Sequence, residues 1–330
     1  MTLREAFTRQ SAACAGMGSP FMARLMALCA DRLGPEGPIG ARLHAWAGDL
    51  SPAGQSVPLR LAGGLHRLSW DDPALGAVYP PHDPSDAALW TAVAAALDRH
   101  ADWLDAWLDS PPQTNEVGRS AAFRAAAHVL ADRVGLPMVW WELGASAGLN
   151  LRWDATALEA GGWRRGPADG IALAPDWTGP PPPDSAPEVV ERRGVDLRPV
   201  EDPDRLRAYL WPDQPERRAR TDALLALPRA PVDAGDAAAW LEDRPSREGR
   251  LRVVAHSVAW QYFPEETAAR AEAALRAMGA AATAEAPLAH VSMEADGGRG
   301  AALRLRVWPG GAWEPLARVD FHGRWVAWRA

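Results

Sequence analysis

The chain has 330 residues, 48% of them hydrophobic, with 35 basic and 42 acidic side chains and a net charge of −7. That length asks for two domains or one large domain with an extension. No basic cluster stands out, which argues against a nucleic-acid or membrane-surface partner, and no stretch of about 18 uncharged apolar residues could span a bilayer. The two cysteines, Cys14 and Cys29, have neither metal-ligand nor redox spacing, as in a reduced cytoplasm. The eight histidines form no His-x-x-x-His or His-x-His pair, so no metal is expected. Arg4, Glu5 and Arg9 break any apolar signal-peptide core, and a cytoplasmic protein is expected. Several of the 17 tryptophans recur at helical or strand spacing, such as Trp103 with Trp107 and Trp308 with Trp313, so most read as packing residues rather than a ligand cage.

Residues 1–112 read as helices joined by Gly/Pro turns, an N-terminal helical cap domain. Phe21–Leu33 and Leu59–Trp70 carry helical apolar spacing, and Asp86–Leu108 is expected as the longest helix. Pro111-Pro112 ends it, and residues 113–330 form the second domain. Its opening stretch, Gln113–Ser120, places Asn115, Glu116 and Arg119 just before an Ala-rich helix over 121–134. These residues either cap that helix or lean over the first strand toward a ligand.

Met138–Leu151 then runs Met-Val-Trp-Trp-Glu-Leu-Gly-Ala-Ser-Ala-Gly-Leu-Asn-Leu. It reads as a buried parallel strand ending in a thin turn that opens a helix. Gly144 and Gly148 let backbone approach something closely, with Ser146 between them. A helix N-terminus there would offer free N–H groups to a ligand. Glu142 is placed for a polar ligand group at the strand's carboxyl end. The dinucleotide fingerprint is missing, because it needs glycine where Ser146 stands, so a nicotinamide-dependent oxidoreductase is the weaker reading.

Beyond the turn, Gly161–Trp177 reads as an irregular hairpin insert and Pro180–Pro183 as a surface loop. Parallel strands are expected near 189–196, 231–234, 251–256 and 288–293, alternating with helices, and an antiparallel pair near 302–308 and 316–322. Asp196, Asp236 and His256 then fall at strand ends and would converge with Glu142 on one cleft. Asp236 also suits a helix N-cap. His256 suits a general base or a hydrogen-bonded residue of the sheet end.

The order Glu142-x-Gly144-x-x-x-Gly148 resembles the first motif of class I S-adenosylmethionine-dependent methyltransferases. Gly194-Val195-Asp196-Leu197-Arg198-Pro199 is similar to the segment whose acid holds the ribose hydroxyls in that family, and Gly235-Asp236-Ala237 to the one that contacts the adenine amine. The family places the ribose acid about 20 residues after the glycine turn, by analogy with dinucleotide folds; here it follows Gly144 by 52 positions, across the 161–183 insert. The resemblance implies a Rossmann-like, mostly parallel α/β sheet with an antiparallel C-terminal pair. It implies S-adenosylmethionine as cofactor, held by Asn115, Arg119, Glu142, Gly144, Ser146, Gly148, Asn150, Asp196, Asp236 and Ala237. The loop after the fourth strand, with His256, Trp260 and Tyr262, would line the acceptor pocket, His256 and Tyr262 being the catalytic candidates. The acceptor would be a small molecule or a protein side chain. The alternative is a non-catalytic ligand-binding or interaction protein on the same fold. The chain also resembles a bacterial family known only as Domain of Unknown Function 2332, on Gln113–Ser120, Glu142–Leu151, Gly194–Pro199 and Trp211-Pro212-Asp213-Gln214.

Overall fold

The computed structural model describes residues 1–52 and 54–330. Helices come first: α1 (Leu3–Gly16), α2 (Pro20–Arg32), α3 (Gly37–His44), α4 (Val57–Leu68), α5 (Pro73–Gly76), α6 (Asp86–Arg99), α7 (Ala101–Leu108) and α8 (Ser120–Val134). Then follow β1 (Met138–Leu143), β2 (Thr156–Ala160), β3 (Trp163–Arg165), β4 (Ile171–Leu173), β5 (Asp176–Thr178), β6 (Val189–Asp196), α9 (Pro203–Ala208), α10 (Pro215–Leu225), β7 (Val232–Ala234) and α11 (Ala237–Glu242). The chain closes with β8 (Leu251–Ser257), α12 (Glu265–Ala280), β9 (Leu288–Ala295), β10 (Ala301–Trp308), β11 (Glu314–Val319) and β12 (Trp325–Trp328).

These elements form two compact units, residues 1–114 with 202–218, and residues 115–201 with 219–330. The first holds helices and connecting turns, with no strand among its described residues. Side-chain caps start α1, α2, α5 and α6: Thr2 and Glu5 form a capping box, and Ser19, Asp72 and Ser85 accept first-turn N–H groups. The single helix expected over 86–108 is broken at His100 (φ −111°, ψ 26°). Arg99 and His100 are both drawn to buried Asp72, at 2.6 and 2.9 Å, and the helix cannot continue through that clamp. Segment 202–218, expected with the second domain, groups with these helices. Trp211 enters their core, the Asp213 carboxylate accepts the Phe21 N–H at 2.9 Å, and the Gln214 amide donates to the Met17 carbonyl at 3.0 Å. The Trp211–Gln214 motif therefore stitches this unit together.

The second unit is built on a nine-stranded sheet in the order β5-β12-β11-β10-β9-β8-β1-β6-β7. The five strands of the run β9-β8-β1-β6-β7 are parallel, and β9 to β12 form an antiparallel meander. This is the mostly parallel α/β sheet with antiparallel C-terminal strands that the sequence predicts. All six residues of β1 are buried, as a strand covered on both faces requires. Side chains alternate: Trp140 packs on Phe123 of α8 at 5.5 Å, whereas Trp141 meets Trp240 of α11 at 6.1 Å. One face thus lies under α8 and the other under α11 and α12.

Two local expectations are corrected. The glycine turn opens no α-helix. It leads into a kinked 3-10 segment, Asn150–Ala155, with Arg152 outside helical geometry, because Trp153 is pulled against Trp140 at 4.9 Å and β2 begins at Thr156. The 161–177 stretch is more than a hairpin. β3, β2 and β4 make a small sheet of their own, and β5 joins the main sheet as a parallel edge partner of β12.

Candidate functional site

The N–H groups of the turn after β1 are held mostly by β6 and by the residues before α8. The N–H groups of Gly144 and Ala145 donate to the Val195 carbonyl at 2.9 and 3.1 Å, and that of Gly148 to Ala145 at 2.7 Å. Ser146 N–H donates to an Asp196 carboxylate oxygen at 2.9 Å, and Leu149 N–H to the Asn115 side-chain oxygen at 2.7 Å. These N–H groups are spoken for, so the turn is no nest for a phosphate. Positive φ angles at Gly144 (69°), Ser146 (55°) and Gly148 (73°) make the bend. Glycine is required at 144, because a Cβ there would lie 2.5 Å from the Cβ of Ala259. The close approach expected of a ligand is made here by the loop after β8. Gly194 of β6 serves the same turn: a Cβ on it would meet Ala145 at 2.5 Å.

Around this turn the residues before α8 come together. Asn115, expected as a helix cap or ligand contact, is buried and spans to Leu149. Glu116 accepts the Gly118 N–H at 3.0 Å and so starts the 3-10 turn Val117–Arg119. Arg119 Nε donates to the Phe321 carbonyl at 2.9 Å and its Nη1 to the Ser257 carbonyl at 3.2 Å, at the end of β8. Asn150 is buried and accepts the Ser120 hydroxyl at 2.8 Å.

Glu142 is 1% exposed, and its Oε2 has no hydrogen-bond partner. The Ser146 hydroxyl is likewise buried and unpartnered. Burial pushes the Glu142 carboxyl well above its ordinary 4.5; the Arg119 guanidinium opposes this and Asp196 adds to it.

Asp196 joins Glu142 beside the turn, whereas Asp236 and His256 do not converge with them on one cleft. Glu142 shares the α8 face with Trp140, two residues before it. β1 and β8 are paired with Glu142 opposite Ala255, so His256 points to the other face, where Val254 packs with α12. Asp236 heads α11 on that same other face. The period of two in a strand separates Glu142 and Asp196 from His256, and Asp236 lies beyond β7 at the head of α11. Asp196 stays near the turn, its second oxygen accepting the Arg198 N–H at 2.9 Å. Asp236 Oδ1 accepts the N–H groups of Ala238 and Ala239, and its Oδ2 the Thr267 hydroxyl at 2.8 Å, the full set of an N-cap. Ala237, the first residue of α11, is buried in the core.

His256 has both ring nitrogens engaged, Nδ1 with Glu294 at 2.7 Å and Nε2 with His290 at 2.9 Å. It is 2% exposed, which leaves no nitrogen for a substrate proton. Tyr262 is 57% exposed on a short 3-10 turn. His290 in turn meets Arg306, which forks onto Glu272 at 2.7 and 3.0 Å. Burial, then the neighbouring His256 and Arg306, drive His290 well below its ordinary 6.5. Sequence reading passed over Glu294 and His290, although the spacing His290-x-x-x-Glu294 puts both on the same strand face.

Residues 4–328 match the family described as "Uncharacterized protein conserved in bacteria (DUF2332)", and the chain belongs to it. A search of curated proteins finds no match. Among solved structures, the chain is similar to one titled "Structure of the Mitomycin 7-O-methyltransferase MmcR", at 13% identity and a TM-score of 0.27, over 84% of this chain and 59% of that one.

Proposed function

We propose that this member of the family binds S-adenosylmethionine at the carboxyl ends of β1 and β6 and transfers its methyl group to a small molecule or a protein side chain. One observation carries the reading. Glu142 keeps a buried carboxyl oxygen without a partner beside a glycine turn, a costly arrangement unless a ligand group completes it. The unpartnered Ser146 hydroxyl is a second acceptor in the same turn, and an ammonium with three donors suits the two. Each Asp196 oxygen accepts a backbone N–H and retains a lone pair for a ribose hydroxyl. Asp236 is committed to the cap of α11 and to Thr267 on the face away from Glu142, which favours a structural role over the adenine contact. The turn suits a pyrophosphate poorly, because the N–H groups of Gly144, Ala145, Ser146, Gly148 and Leu149 are taken, and this weighs against the nicotinamide reading.

The bound cofactor would supply an electrophilic methyl on its sulfonium. The chain's task is then to position and to exclude water. Glu142 would grip the ammonium and give up its proton as it does so. Arg119 fixes the end of β8 through the Ser257 carbonyl and so sets one wall of the site. The closure of both His256 nitrogens favours a second reading, binding without transfer.

Titration calorimetry of the wild type and Glu142→Gln with S-adenosylmethionine, S-adenosylhomocysteine and NAD tests the assignment. Heat is expected with the first two only, with an enthalpy that varies with the buffer as the Glu142 proton leaves. Glu142→Gln is expected to weaken binding by about 1–3 kcal/mol, the scale of one buried hydrogen-bond partner. No heat at millimolar cofactor rejects the assignment. Binding without methyl transfer to any of a panel of small-molecule and protein acceptors selects the second reading.

A further inference from the structure

The loop between β8 and α12 sits directly on the glycine turn. Ala259 occupies the space in front of Gly144, where a Cβ would come within 2.5 Å of its own. One carboxylate oxygen holds the loop there. Glu294 Oε1 accepts the N–H of Ala259 at 2.9 Å, the N–H of Trp260 at 3.1 Å and a bond from His256 Nδ1 at 2.7 Å. Burial raises the Glu294 carboxyl, and the bonds from His256, Ala259 and Trp260 outweigh it, so it lies below its ordinary 4.5. Its other oxygen is buried and has no hydrogen-bond partner, so the latch rests on Oε1 alone. The loop is entered through Val258 at φ 52°. A β-branched residue in the left-handed region is a strained choice, and such strain persists only where surrounding contacts hold it. The Val258 N–H donates to the Met293 carbonyl at 2.8 Å, and the preceding Ser257 carbonyl accepts from Arg119, so both flanks of the strained residue are pinned.

We propose that Val258–Tyr262 is a strap closed over the glycine turn and latched by Glu294, and that its release admits the methyl donor to the Glu142 site. The inference rests on the cofactor reading above. Opening moves the Ala259 methyl off Gly144, breaks the two N–H bonds to Glu294, and lets Val258 return to an extended backbone. Glu294 and His256 are positioning residues in this scheme, since neither touches the ligand. A site that is competent only when the strap is open binds with an apparent affinity reduced by the open fraction.

Stopped-flow tryptophan fluorescence tests the strap on the full chain, with S-adenosylhomocysteine as probe and Trp260 as the reporter within the loop. Glu294→Ala is expected to raise the association rate about tenfold or more, because it deletes the acceptor of both loop N–H groups. Glu294→Gln keeps an acceptor oxygen and is expected to stay near the wild-type rate. Ala259→Gly removes a single methyl from a buried loop position and is expected to speed association by vacating the space before Gly144. Val258→Asn is expected to slow it, because asparagine tolerates the left-handed region and so favours the closed strap. Wild type and all variants binding at one rate overturns the strap and leaves the cofactor reading intact. No binding by wild type, Glu294→Ala or Ala259→Gly overturns both. Binding by Glu294→Ala with none by the wild type supports both.

Discussion

Burial lifts the Glu142 carboxyl well above 4.5, against the pull of Arg119, and this makes the residue's charge a function of folding. In the unfolded chain Glu142 ionises near the ordinary value; in the folded chain it holds its proton to higher pH. Its contribution to stability is therefore complete below about pH 4.5 and is lost as pH rises through the folded value. Between the two, stability falls by as much as about 1.4 kcal/mol per pH unit for this one group. Glu142→Gln cannot titrate. The stability difference between variant and wild type is expected to move in the variant's favour as pH rises from 5 to 8, read from urea midpoints. Parallel midpoint curves for the two proteins would show that Glu142 ionises freely in the folded state.

At the scale of elements, the acids that share strand ends do different work. Asp236 satisfies the N–H groups of Ala238 and Ala239 and ties α11 to α12 through Thr267. Asp236→Ala is expected to cost about 1–2 kcal/mol of stability and to leave cofactor binding unchanged. The bond from Ala239 N–H, despite some burial, and then Thr267 and Arg270 hold the carboxyl below 3.8. Its stabilisation is thus present above that value and is lost as pH falls through the folded one. The melting-temperature gap between Asp236→Ala and wild type should close in acid, and a gap of equal size at pH 3 and pH 7 would contradict the cap. The elements themselves were readable where one physical rule governs. The Val139–Leu143 run is buried on both faces, and the alternation in 301–308 announces an antiparallel strand. The rule of alternation, followed one step further, would also have separated His256 from Glu142. Reading failed where distant contacts override local preference. Nothing near His100 says that Asp72 will break the helix, and nothing near Asn150 says that Trp153 will turn toward Trp140 instead of continuing a helix. The glycine turn and the packing of Asn115 and Arg119 around it were legible. The loop packed on that turn was not, because Glu294 lies 35 positions from Ala259, whose N–H it accepts.

The whole molecule divides differently from the Pro111-Pro112 boundary, since 202–218 belongs to the helical unit. The energetics make this segment indispensable to it. Leu206, Ala208, Tyr209, Leu210 and Trp211 are all buried. The four larger side chains contribute about 1.5–3 kcal/mol each when removed from water. Their sum is comparable with the roughly 5–15 kcal/mol by which a domain exceeds its unfolded state. Packing is close as well as extensive. A Cβ on Gly63 of α4 would come within 2.4 Å of the Tyr209 ring, and His66 Nδ1 meets the Ala208 carbonyl at 3.0 Å. Burial, only partly offset by that bond, takes His66 down to about 4, so a neutral imidazole is built into the contact. A fragment of residues 1–114 is therefore expected to keep helical circular dichroism without a cooperative melt and to bind a hydrophobic dye, since its missing segment leaves α4 and the α1–α2 turn uncovered. A synthetic 202–218 peptide added in excess should restore dispersed amide resonances and a sharp thermal transition. The same peptide carrying Trp211→Ala should fail, because it gives up the side chain that enters the core, a change worth about 3–5 kcal/mol. If residues 1–114 alone melt cooperatively and the peptide leaves that transition unmoved, the helical unit is continuous in sequence and 202–218 is only laid upon it.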